Sequence, residues 1–221
     1  MLHNSKKPTL KPVYYFLAAL AVLILYFTAS LIKSAFAQRR LCQEIIPLSG
    51  IEYNGDFLDE AAKLPGFCSV SPVLDVPVSL KMGDYTMECT LCGVNLDELL
   101  LTVKESRAVP MGTAPVLLPG SDFLASMEDA DGHLLSQAGQ AAALENYRNL
   151  QINYSLPDEE GEWFPCLIAG VLSEPSDKIY IPYAQAEKML SRPASISKIL
   201  LTIRGEANMT QAKKYLRSPS R

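Results

Sequence analysis

Few residues in this chain have types and spacings that could do chemistry. Cys89-Thr90-Leu91-Cys92 has the CxxC form of redox and zinc sites. It lies inside the β-prone run 85–94, without the helix start that lowers a redox thiol's pKa. On a strand, positions three apart face opposite sides, so the two thiols should point away from each other and not bond. A second CxxC or a Cys/His pair to complete a metal site is missing. Five cysteines, at 42, 68, 89, 92 and 166, are an odd number at irregular spacing and do not form a disulfide framework. They read as small structural hydrophobes, with a disulfide or redox role at 89 and 92 as the alternative.

His133 is the single histidine beyond residue 37, and it follows the polar stretch 129–132. A solvated loop histidine is the plain reading, because no GxSxG elbow or Ser/His/Asp set accompanies it. The phosphate loop GxxxxGK[ST], the dinucleotide fingerprint GxGxxG and HExxH are also absent. Asp129, Asp131 and the acidic run 158–162 could hold calcium weakly, but they lack EF-hand order and read as solvated charge. Asn153-Tyr154-Ser155 and Asn208-Met209-Thr210 match the glycosylation sequon, which matters only in a eukaryotic secretory pathway. No catalytic residue, cofactor-binding residue or metal ligand is therefore assigned, and no cofactor is expected. A non-enzymatic binding or coupling module is expected; an extracellular hydrolase using His133 or an acidic pair is the alternative.

The elements that position these residues begin with residues 13–32, twenty positions without a charge. That length suits an α-helix crossing a bilayer core of ~30 Å. Residues 1–12 carry Lys6, Lys7 and Lys11 and no acid, the pattern of a cytoplasmic tail ahead of an exported part. Lys33, Arg39 and Arg40 beyond the segment nearly balance that charge. Ala35-Phe36-Ala37 offers a signal-peptidase site, so a cleaved, released protein is the alternative to an anchor; the apolar run is longer than a usual signal core. The expected localisation is the cell membrane, single-pass, contacting lipid through 13–32 with residues 38–221 extracytoplasmic. Residues 1–37 contain four lysines and no acid, leaving 16 basic and 24 acidic residues, a net of −8. Such a body repels nucleic acid, which is excluded as a partner.

The exported part reads as one α+β domain. A mixed strand over 45–53 precedes a helix capped by Asp56 and stopped by Pro65-Gly66. Strands follow at 67–73 and 75–80, with Ser71-Pro72 marking the end of the first or an edge position, and Gly83-Asp84 turns the chain into a strand over 85–94. Residues 114–124 read as a strand leading into a short helix at 122–127, then a helical excursion within 128–149. The charged turn 158–162 joins strands 151–156 and 163–172. Residues 178–181 form a strand, Pro182 opens the helix 183–190, and 199–204 is a strand. Asn208 and Gln211 look like a capping box for a last helix presenting Met209, Ala212 and Tyr215.

The order of these blocks resembles the extracytoplasmic core domain of MacB-like and FtsX-like ABC transporter permeases. The blocks are LPGFCSVSPVL (64–74), TMECTLCGVN (86–95), APVLLPGSDFL (114–124), WFPCLIAGVL (163–172), KIYIPYAQAEKML (178–190) and ILLTIRG (199–205). Strands ending in Gly-Val match Gly93-Val94 and Gly170-Val171, and the "isoleucine-proline" strand that opens a helix matches Ile181-Pro182. Family permeases continue into three more membrane helices, whereas this sequence stops at Arg221, as a stand-alone anchored version or a truncated permease would. The resemblance implies an α/β part at about 44–95 and 163–216 with an insertion at about 96–162, no chemistry, and ABC permease or ATPase subunits as partners. The strand 163–172, uncharged after Glu162, should pair with strands of the first half. The insertion should project away from them, so that deleting 128–149 leaves the fold intact.

Overall fold

The structure is a computed structural model and describes residues 20–28, 39–106, 114–159, 161–190 and 195–217. Residues 20–28 form a helix, α1, with exposed apolar side chains such as Val22, Leu25 and Tyr26. Among the described residues no helix is long and apolar enough to cross a membrane. The tail 1–12, most of the expected span 13–32 and the Ala35–Ala37 site lie outside them.

The remaining elements are β1 (Leu41–Pro47), α2 (Gly55–Ala61), β2 (Phe67–Met82), β3 (Tyr85–Val94), β4 (Val103–Ser106), β5 (Val116–Pro119), α3 (Gln137–Glu145), β6 (Ile152–Ser155), β7 (Phe164–Ile168), β8 (Gly170–Leu172), β9 (Ile179–Pro182), α4 (Tyr183–Met189), β10 (Lys198–Arg204) and α5 (Glu206–Arg217). The mix is α+β, as expected. Eight strands pair in the order β1-β10-β2-β3-β9-β5-β7-β6, and β6 also pairs with β2, closing the last six into a barrel. β4 pairs with β8 in a separate two-stranded ribbon.

Alternation along the barrel strands explains its interior. Val76, Val78 and Leu80 of β2, Met87 and Leu91 of β3, Leu117 of β5, Ile152 of β6, Cys166 and Ile168 of β7, and Ile179 and Ile181 of β9 are all buried in one cluster. Six strands enclose only enough room for side chains, so the barrel is a packed core. Outside it, β1, β10 and residues 67–73 of β2 form a small sheet covered on one face by two helices. Ile199, Leu201 and Ile203 of β10 meet Phe57 and Ala61 of α2 and Met209, Ala212 and Leu216 of α5. Burying each large apolar side chain there contributes roughly 1.5–3 kcal/mol.

Several boundaries differ from expectation for local reasons. Asn54, not Asp56, caps α2: its Oδ1 accepts from the Phe57 N–H at 3.0 Å, and Asp56 sits in the first turn. α5 begins at Glu206 after Gly205, whose φ is +93°, so Asn208 lies inside the helix and donates to the Arg204 carbonyl at 2.8 Å. Leu216, not Tyr215, completes its buried face. β2 is one strand through two prolines. Pro72 precedes the β3 ladder, which starts at Leu74, and Pro77 falls between the stretches paired with β10 and with β6, so neither missing N–H breaks a ladder. The run 163–172 breaks at Ala169 into β7 and β8.

The pairing expected for that run is also corrected. β7 lies between β5 and β6, both drawn from 96–162, and not beside first-half strands. Residues 96–162 do not simply project: β5 and β6 are barrel staves, and Phe123, Leu124, Met127, Leu135 and Tyr147 share the barrel cluster. Strand pairing completes each of these segments at long range, which local periodicity does not encode.

Candidate functional site

β2 and β3 stay paired as far as Leu74 and Gly93; beyond Val94 the chain leaves β2 and forms a 3-10 turn at Leu96–Glu98. Gln43 of β1 holds that turn away. Its Nε2 donates to the Glu98 carbonyl (2.6 Å) and to Thr202 Oγ1 (2.9 Å), and its Oε1 accepts from Leu100 N–H (2.9 Å). Residues 67–73 of β2 are left with β10 on one side and, among the described residues, no strand on the other. The gap is a cleft of about 640 Å³. Val70, Ser71 and Pro72 line it from β2, Asn95 to Glu98 from the turn, Tyr53 from the chain before α2, and Pro182 and Tyr183 from the start of α4.

The cleft is acidic and rich in hydroxyl donors. Asp97 is exposed and Glu98 half-buried, with Glu98 Oε1 accepting from Asn95 Nδ2 at 2.8 Å. Among the described residues, none that lines the cleft is basic. Burial, and then the Glu98 charge and Tyr183, push the Tyr53 phenol up. Burial and Glu187 do the same to Tyr183, so both phenols stay neutral donors at physiological pH. Ser71 is 6% exposed, and its hydroxyl has no hydrogen-bond partner. Carboxylates, neutral phenols and a backbone edge can bind a cationic or hydrogen-bonding ligand. They contain no nucleophile paired with a base.

The residues singled out from sequence fall elsewhere. His133 sits on a loop with its side chain 76% exposed and Nδ1 3.4 Å from Asp129 Oδ1. Asp129 Oδ1 also accepts the backbone N–H groups of Asp131 (3.0 Å) and His133 (2.9 Å), and these hold its carboxyl below the usual range. The ligand atoms of Asp129, Asp131 and His133 lie within 4.8 Å of one another. Three side chains, one an imidazole, fall short of the six to eight oxygens calcium takes. The 158–162 run belongs to the β6–β7 connection. Cys89 and Cys92 do face opposite ways: Cys89 packs on the barrel cluster and Cys92 on the cluster of Val73, Tyr180 and Leu200. No spacing or motif marks Tyr53, Asp97, Glu98 and Tyr183 in the sequence. Their meeting depends on the Gln43 clamp, 55 residues from Glu98.

Burial raises the Cys89 and Cys166 thiols to about 12, while Cys68 is exposed. Iodoacetamide at pH 8 should therefore label Cys68 well before Cys89 or Cys166, which should react only on unfolding. Peptide mass mapping of a time course checks this, and early alkylation of Cys166 would contradict the closed barrel.

No protein-family model matches the chain, and no curated protein matches it in sequence. Among solved structures, the periplasmic region of MacB from Actinobacillus actinomycetemcomitans is similar at 18% identity and a TM-score of 0.45, over 79% of this chain and 79% of that one. The extracellular domain of the noncanonic ABC-type transporter YknZ from Gram-positive bacteria is similar at 13% identity and a TM-score of 0.43, over 78% of this chain and 88% of that one. The chain is similar to extracytoplasmic domains of ABC-type transporters.

Proposed function

We propose that this chain is a non-enzymatic single-pass membrane protein: residues 13–32 anchor it, and residues 38–221 form an extracytoplasmic domain that serves an ABC transport system as an accessory or partner-binding component. The observation that carries the reading is the meeting of its sequence blocks. Gly93-Val94 and Ile181-Pro182, distant in the chain, pair in parallel at the ends of β3 and β9, and Val94 and Pro182 border one cleft. The site supports it chemically, offering recognition groups without a reaction centre. Residues 1–12 are then the cytoplasmic tail, and 96–162 supply the β4–β6 portion inserted between the blocks at 44–95 and 163–216.

Membrane fractionation of cells expressing the full chain tests the anchor. The protein should remain with the membrane after alkaline carbonate extraction and keep its N-terminal lysines. N-terminal sequencing that begins at Gln38 defeats the anchor. Crosslinking in intact membranes should then capture an ABC permease or ATPase subunit. A chain crosslinked only to itself or to unrelated proteins contradicts the transport assignment.

A further inference from the structure

We propose that the unpaired edge of β2, residues 67–71, is a docking strand for an extended basic peptide segment of a partner protein, which adds to the sheet in the place that β3 vacates after Val94. This stands on the cleft itself and does not depend on the ABC transport reading.

Three observations carry it. The edge is available: among the described residues, 67–73 pair with β10 alone, and Val70, Ser71 and Pro72 line the cleft on the other side. Backbone groups face that side. Pro72 has no N–H to give the β10 ladder, so the positions matching Ile199 and Leu201 in register, Pro72 and Val70, turn their backbone groups away from β10. Val70 thus presents a donor and an acceptor to the cleft, and Pro72 ends the donor row, which limits the added strand to a short one. Ser71, beside them, holds a buried hydroxyl without a partner, a group that a docked backbone can satisfy.

Charge selects the occupant. Asp97 and Glu98 stand on the wall opposite the edge with, among the described residues, no basic side chain in the lining, so an added strand carrying Lys or Arg finds complementary charge. A second copy of this chain would bring its own acidic cleft to the same place, and its body beyond residue 37 carries a net charge of −8. Strand addition supplies affinity through main-chain bonds and selectivity through alternate side chains.

The test uses the full chain in detergent, isotope-labelled for amide NMR. The probe is an acetylated peptide of about eight residues alternating valine and lysine. Expected are saturable shifts at Val70 and at residues 96–98, with the valine–glutamate counterpart and the Asp97→Asn/Glu98→Gln variant each weaker by about tenfold. Methylating alternate peptide amides should abolish binding, because the main-chain bonds are lost. Val70→Pro should do the same while leaving the β10 ladder intact; if that variant misfolds, the methylated peptide still decides. Equal binding of the methylated or the acidic peptide, shifts scattered over the acidic surface without Val70, or no shift at millimolar peptide overturns the proposal.

Discussion

Deleting residues 128–149 should unfold the domain. Glu128 exchanges two backbone hydrogen bonds with Thr86 at the barrel rim, 2.8 and 3.0 Å long, and the Leu135 N–H donates to the Met127 carbonyl at 2.8 Å. Leu135 and Tyr147 are buried in the barrel cluster, with Ala143 and Leu144 of α3 packed against it. Each large side chain lost removes roughly 1.5–3 kcal/mol of burial. The deletion also uncovers Phe123, Leu124 and Met127, which are at most 1% exposed. The sum is comparable to a whole domain's margin of about 5–15 kcal/mol. A chain joined across the gap by a short Gly-Ser linker should show no cooperative thermal transition and should lose its near-UV circular dichroism. A melt within a few degrees of the intact chain would instead make this segment the dispensable excursion that its Ala- and Gln-rich composition suggests.

That composition misleads because it describes only the exposed side of the segment. α3 has no fully buried residue, and the anchoring falls to Leu135 before it and Tyr147 after it. Where structure is written locally, the sequence is readable. Gly83 adopts a φ of +61° in a two-residue hairpin loop, as Gly83-Asp84 between alternating strands predicts, and β3 begins and ends where its β-prone run does. Pro182 precedes α4, and the β6–β7 hairpin lies on either side of the acidic run. Long-range pairings are not readable in this way. Nothing near Ser79, Leu80 or Lys81 announces that residues 153–155 will pair with them and close the barrel. The cleft arises from such an event too, since it exists where β3 stops following β2. Its carboxylates look in sequence like ordinary surface charge.

Gly93 shows how a short sequence block can encode packing. Replacing it with alanine should destabilise the domain by about 2–3 kcal/mol, the upper part of the range for forcing extra atoms into a packed core. A Cβ at position 93 would collide with the Ala186 Cβ of α4 and stand 3.3 Å from Leu74 Cβ. Ala186 is fully buried, and α4 lies against β2 and β3, so the helix would have to lift from the strands. For a domain of this size the loss corresponds to a melting temperature lower by roughly 5–10 °C. Adding Ala186→Gly to that variant should recover part of the loss. Relief of the clash outweighs the ~1 kcal/mol that glycine costs inside a helix. The same Ala186→Gly change alone should only destabilise, so the two substitutions should be strongly non-additive. Differential scanning calorimetry of the four proteins measures the coupling. A Gly93→Ala variant that melts with the parent, or a pair of changes that simply add, would show that α4 does not need glycine beneath it. The Gly-Val ending of β3 would then have no packing explanation.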